Sequence, residues 1–74
     1  MRVRILDAQK VIYEGDFKEV LLPGEDGELS VLDFHQPFLY RLRKGYIQLQ
    51  PHRHFLIKDG VAKMQNNQLI IMVE

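Results

Sequence analysis

The side chains able to do chemistry in this chain fall into three groups. Glu25, Asp26 and Glu28 crowd into the stretch "PGEDGE". A calcium loop needs alternating oxygen ligands closed by a bidentate glutamate, and this spacing does not supply them. Flanked by glycines, the three carboxylates read instead as a solvated hairpin tip. His52 and His54 stand two apart, so on a strand they share a face, and with His35 they could furnish a three-imidazole zinc site. The competing reading is three exposed histidines at strand ends. Ser30 has no glycine elbow around it, which argues against a nucleophile, and no phosphate loop or dinucleotide fingerprint is present. Last, Arg41, Arg43, Lys44 and Arg53 with Tyr40 and Tyr46 could make a basic, stacking face of the kind that holds single-stranded nucleic acid. No set of residues in this inventory assembles a catalytic centre.

The elements that carry these residues follow a period of two. In "MRVRIL", Val3 and Ile5 face one way and Arg2 and Arg4 the other. "FKEVLL" and "ELSVL" are β-rich segments on either side of "PGEDG". Phe38, Tyr40 and Leu42 share one face of "FLYRLR". "YIQLQ" turns Ile47 and Leu49 inward, and "HFLIK" sets Phe55 and Ile57 together. "QLIIMV" is continuously apolar and predicts a central strand buried on both faces, in which truncation of Ile70 is costly. Asp26-Gly27 and Asp59-Gly60 predict hairpins, because glycine supplies the positive φ of tight turns. Asn66-Asn67 does so less well. Gly15 and Lys44-Gly45 mark further corners, and Pro23, Pro37 and Pro51 sit at strand ends. No window carries an apolar stripe at helical spacing. The pattern predicts an all-β fold: a small two-sheet antiparallel β-sandwich spanning residues 1–74 as one domain.

Composition narrows the function. Seventy-four residues bury only about 60% of the surface of the unfolded chain, so the core must be thin. Ten basic residues balance ten acidic ones, which argues against a dedicated nucleic-acid or anionic-membrane binder. There is no cysteine, hence no disulfide or thiolate metal site, as suits a reducing compartment. The longest apolar run, Leu69 to Val73, is far too short to span a bilayer, and the N-terminus lacks the apolar region of a signal peptide. These features point to an intracellular chain, or one on the inner side of a membrane. They reach as far as a small non-catalytic β module that binds something, without naming the partner.

The stretch Leu22 to Leu39 goes further. Leu22-Pro23-Gly24, Gly27-Glu28-Leu29, Val31-Leu32 and His35-x-Pro37-Phe38-Leu39 resemble the signature "LPG-x-x-G-E-x-G-x-L-x-x-H-x-P-L" of the ATP synthase epsilon subunit, called delta in mitochondria. Upstream, "VIYEGDFKEVLLPG" is similar to that family's "V-x-Y-x-G-x-V-x-x-V-x-L-P-G". Downstream, "LRKGYIQL" and "IKDGVAKMQNNQLIIMVE" resemble its later segments, in order. Four departures stand out. Ser30 replaces a glycine, Asp33-Phe34 replaces a common Pro-Gly or Pro-Asn, Asp59 replaces the first glycine of a pair, and "QPHRHFLI" is shorter than usual.

The resemblance implies a rotor subunit of the central stalk that does no chemistry and takes no cofactor or metal. It would bind the gamma subunit and rest on the membrane ring of c subunits, coupling proton translocation to ATP synthesis. It would be peripheral, on the cytoplasmic face of the inner (plasma) membrane, and bound to the membrane only through the complex. Residue by residue, it implies that Glu28, with Asp26 beside it, faces the c-ring, and that His35, Phe38 and Tyr40 face gamma. The family typically continues into two C-terminal helices that brake ATP hydrolysis and, in some members, fold around ATP. After Val73 only Glu74 remains here, so the expectation is a coupling subunit that neither binds ATP nor inhibits hydrolysis. The alternative from a different class is a freestanding β-domain holding RNA or single-stranded nucleic acid on the basic aromatic face.

Overall fold

The computed structural model describes residues 1–49 and 53–74. Among these the chain forms nine strands: β1 Arg2–Leu6, β2 Val11–Asp16, β3 Glu19–Gly24, β4 Gly27–Leu32, β5 Phe38–Leu42, β6 Gly45–Leu49, β7 Arg53–Ile57, β8 Gly60–Gln65 and β9 Gln68–Val73. All are hydrogen-bonded into one curled sheet in the order β2-β1-β9-β8-β5-β3-β6-β7, with β4 on the other edge of β3. The expected all-β sandwich is thus present, as a sheet folded over on itself. The layer β2-β1-β9-β8-β5 faces the layer β4-β3-β6-β7. Both contribute to a single core, which includes Val3, Ile5, Val20, Leu22, Val31, Leu42, Ile47, Leu49, Met64, Leu69 and Ile71. One ladder departs from the antiparallel expectation: β1 and β9 run parallel, with Val3 opposite Leu69 and Ile5 opposite Ile71.

The fold passes between layers at β3. Its residues Glu19–Gly24 pair with β4 along one edge. Val20 and Leu21 pair with β6, and Gly24 pairs with Leu42 of β5. Because β4 occupies one edge of β3 completely, β5 and β6 must share the other. The chain between them bends at Arg43-Lys44, where the Arg43 N–H donates to the Pro23 carbonyl (2.9 Å).

Several turns depart from the sequence expectation. The β3–β4 hairpin turns on Glu25-Asp26, and Gly27 is already paired, opposite Gly24. Gly27 holds φ 140°, and a Cβ at Gly24 would come 2.6 Å from the Gly27 carbonyl oxygen, so both glycines answer steric demands. Asp59-Gly60 makes no hairpin: it carries the chain from β7, paired only with β6, to β8, paired with β5 and β9. Asn66 and Asn67, with φ 53° and 55°, are the true primed turn, joining β8 to β9. Gly15 lies within β2 opposite Val3 rather than at a corner. Pro51 lies outside the described residues.

Strand β9 is central, as its apolarity requires, but it alternates. Leu69 and Ile71 are buried, Ile70 only partly, and Met72 is 50% exposed. The continuous apolar run therefore overstated burial, because the outer face of this layer is open. Truncation of Ile71 to alanine is predicted to cost about 2–5 kcal/mol, whereas Ile70→Ala should cost about 1 kcal/mol. Urea denaturation of both variants checks this, and a larger loss at Ile70 would reverse the assigned register.

The β1–β2 turn is braced by Asp7. Its Oδ1 accepts the Gln9 N–H (2.8 Å) and the Lys10 N–H (2.9 Å). These two backbone donors, then the charge of Lys10, hold the carboxyl below the usual carboxylate range. A depressed folded pKa contributes stability above the unfolded value of about 3.9 and loses it as pH falls through the folded value. Asp7→Ala should therefore lower the unfolding midpoint at neutral pH. The variant and wild type should converge as the pH drops through the carboxylate range. A gap that persists in acid would assign the effect to turn geometry instead of charge.

Candidate interaction surface

The hairpin tip is built from the constraints just described. Gly24 and Gly27 allow a tight reversal, which leaves Glu25, Asp26 and Glu28 exposed. The Glu25 N–H donates to the Arg41 carbonyl (2.9 Å), so the tip lies along β5. Between them runs a groove of about 360 Å³, walled by Glu25, Asp26 and Glu28 on one side and by Tyr40 and Arg41 on the other. Arg41 does not neutralise this wall, since its guanidinium is held by Asp59 (3.1 Å). Ser30 donates its hydroxyl to Glu19 (2.8 Å), a cross-strand brace between β4 and β3.

From the groove an aromatic run continues along β5. The ring of Tyr40 lies 4.9 Å from that of Phe38, and Phe38 lies 5.2 Å from His35 in an edge-on contact. Phe38 is half-buried against the core, while Tyr40 is 47% exposed. The structure therefore brings His35, Phe38 and Tyr40 into one contiguous surface, and Tyr40 joins it to Asp26 and Glu28. The two sets of candidate residues are neighbours along one side of the sandwich, where β4 and β5 present unpaired edges. The opposite seam, between β2 and β7, is filled: Tyr13 packs on Phe17 and Phe55, with Arg53 4.9 Å above its ring.

The other candidates separate. His35 stands edge-on to Phe38, whereas His54 stands edge-on to Tyr46; His52 lies outside the described residues. Among the described residues no three His, Asp or Glu side chains gather to hold a metal. The basic aromatic face does not form as one surface. Arg53 sits on the β2–β7 seam and Tyr40 on the β4–β5 seam, while Tyr46 occupies the outer face of β6 beside His54.

One residue, noted in the sequence only as a departure, was not grouped with the candidate surface. Phe34, in the β4–β5 loop, is 80% exposed with φ 61°. Its signal was available in the departure at Asp33-Phe34, where the resembling family favours residues that tolerate positive φ.

The described residues thus form a curled nine-strand β-sandwich with an acid-tipped hairpin beside an aromatic edge. The family model for the β-sandwich domain of the ATP synthase delta/epsilon chain matches residues 1–74, and the chain belongs to that family. Among curated relatives it is 30% identical over 79 residues to ATP synthase epsilon chain 2 of Burkholderia orbicola, covering 100% of this chain and 52% of that protein. It is 29% identical over 76 residues to the ATP synthase epsilon chain of Gloeothece citriformis, covering 99% of this chain and 55% of the relative. The chain thus spans about half the length of the relatives it matches. A solved structure of the central stalk and c-ring of the Tetrahymena thermophila mitochondrial ATP synthase contains a chain of the same fold. That chain matches with a TM-score of 0.79 at 18% identity, over 97% of this chain and 61% of its own length.

The two kinds of surface residue should separate in stability. Phe38→Ala is expected to cost about 2 kcal/mol, less than the 3–5 kcal/mol of a fully enclosed phenylalanine. Tyr40→Ala should stay within about 0.5 kcal/mol of wild type. Thermal unfolding of the two variants tests the assignment, and a large loss at Tyr40 would make it a core residue.

Proposed function

We propose that this chain acts as the epsilon-type, non-catalytic subunit of the central stalk of a proton-translocating ATP synthase. In this reading it lays the aromatic run His35, Phe38 and Tyr40 on the gamma subunit. It turns the acidic tip, Asp26 and Glu28, toward the polar loops of the c-ring. It would thereby be held at the cytoplasmic face of the inner membrane through the complex, helping to couple proton flow to ATP synthesis. The observation that carries the reading is that the stretch Leu22–Leu39, which resembles the family signature, and Tyr40 after it hold two adjoining surfaces of different chemistry on one side of the fold.

The division of labour follows from general interface physics. Half-exposed aromatics at a strand edge supply binding energy when a partner excludes water from them. Rim carboxylates add orientation and encounter rate more than affinity. A subunit that passes torque between two bodies needs both: an apolar grip on the shaft, and a charged contact that sets register on the ring. The rigid element between them is the β3–β4 hairpin, whose register is fixed over the whole of β3.

Two variants test the two surfaces separately. Tyr40→Ala should weaken binding to a gamma subunit from the same source by about tenfold while the fold stays intact. Glu28→Lys should lower proton-pumping coupling in the reconstituted complex, and the deficit should shrink as salt screens the reversed charge. Gamma affinity is read by titration calorimetry and coupling by proton uptake into vesicles. Wild-type gamma affinity in the first variant and wild-type coupling in the second would remove both surfaces from the interface.

A further inference from the structure

Phe34 combines two features that cost the isolated fold. Its backbone lies in the left-handed region, where the side chain of an L-residue crowds the following carbonyl, and its ring is 80% exposed. Neither is left to chance by the surroundings. The Phe34 N–H donates to Asn67 Oδ1 (2.7 Å), and the His35 N–H closes the turn onto the Leu32 carbonyl (3.1 Å). Asn67 is itself fixed: it belongs to the primed turn between β8 and β9, and its carbonyl accepts the Arg2 N–H (3.1 Å). The loop is therefore clamped in a strained form that aims an aromatic ring at solvent. A non-glycine residue held in the left-handed region by its surroundings points to a functional role, and here that residue presents an aromatic ring to solvent.

The occupant is constrained by what surrounds the ring. Leu32, 54% exposed, lies two residues before it, and His35, next in the chain, packs edge-on to Phe38 at the start of the run Phe38–Tyr40. The near charges are already engaged. The amino group of Met1 pairs with Asp33, and Arg2 is held by Glu14 (3.2 Å) and Asp16 (3.0 Å). Asn66, Asn67 and Gln36 supply uncharged polar groups, leaving Lys18 as the cation of the adjoining β2–β3 turn. An aromatic centre with a polar, mostly uncharged rim suits a protein surface. An anionic membrane or a nucleic acid requires a cluster of free cations instead.

We propose that Phe34 is the anchor of the gamma-facing surface, inserted into an apolar pocket of the gamma subunit, with Asn67 as the positioning residue that holds it. The inference rests on the reading of His35, Phe38 and Tyr40 as that surface, and extends it around the loop. Nothing in the family pattern supplies this anchor, since glycine or asparagine is usual at that position. It places the end of the β3–β4 hairpin remote from Glu25-Asp26 in the shaft interface.

The test uses the full chain, a gamma subunit from the same source, and the variants Phe34→Asn and Asn67→Gly. Asparagine tolerates the left-handed backbone, so Phe34→Asn should leave the thermal midpoint unchanged or raise it. The same change should weaken gamma binding by about tenfold or more. Glycine keeps the turn at Asn67 but removes the clamp, so Asn67→Gly should weaken binding less, and should cost nothing further in the F34N background. That loss of additivity is what a merely structural role would not produce. Wild-type gamma affinity in F34N overturns the proposal while leaving the stalk reading intact. The same result with reduced binding to phosphatidylglycerol vesicles would assign Phe34 to a membrane instead. Failure of the wild-type chain itself to bind gamma would overturn both.

Discussion

The sandwich depends on how β3 distributes its backbone hydrogen bonds. One edge is fully used by β4, while the other is shared between β6 near its start and β5 at its end. In a 74-residue chain the core is thin, so side-chain packing between two layers gives only a modest margin. Sharing β3 joins the layers through main-chain bonds, so the core of Val20, Leu22, Ile47 and Leu49 closes around a continuous ladder. The demand falls on the residues at the junction. Pro23 needs no ladder donor and offers its carbonyl to Arg43, and Gly24 admits the close approach of the Gly27 oxygen. The family-like motif Leu22-Pro23-Gly24 is thus first of all the device that folds the sheet over.

A folded sheet has two seams, and the chain treats them differently. Where β2 meets β7, Tyr13, Phe17 and Phe55 fill the gap and Arg53 covers it. Where β4 meets β5, the filling is Leu29 and Phe38, both half-buried, with Tyr40 at the mouth. Unpaired strand edges are reactive toward other chains unless they are covered. The β4 edge carries Glu28, and the β5 edge is partly occupied by the hairpin tip through the bond from Glu25 to Arg41. The remaining stretch of this edge, Phe38 to Tyr40, is paired only with β8.

Much of this was readable from the sequence, for a physical reason. Side chains alternate on strands with a period of two, so Val3, Ile5, Ile47, Leu49 and Ile57 declared their inward faces without reference to any partner. What could not be read was which strands become neighbours. Asp59-Gly60 has hairpin chemistry, yet its flanking strands lie in different layers, because β8 finds better partners in β5 and β9. The parallel pairing of β1 with β9 joins the two ends of the chain, and no local signal encodes it. The same gap explains the site. His35, Phe38 and Tyr40 are close in sequence and could be grouped beforehand. Phe34 stood out only as a departure from the family pattern, because the bond that fixes its backbone runs to Asn67, 33 residues away.

Exposed apolar side chains are common on this molecule, and exposure alone does not identify a partner surface. Tyr46 and Leu56 face outward opposite one another on β6 and β7, and Met72 does so on β9. Such exposure follows from alternation on a sheet whose outer faces nothing covers, and a domain this small cannot shelter every apolar residue. The β4–β5 side differs in kind. There an unpaired edge, an acid-walled groove and an aromatic turn with positive φ follow one another between Glu25 and Tyr40. A residue such as asparagine at position 34 would meet the same backbone bond to Asn67 at lower conformational cost. The gamma contact proposed for Phe34 would account for phenylalanine at this position, whereas alternation on the sheet already accounts for Tyr46, Leu56 and Met72.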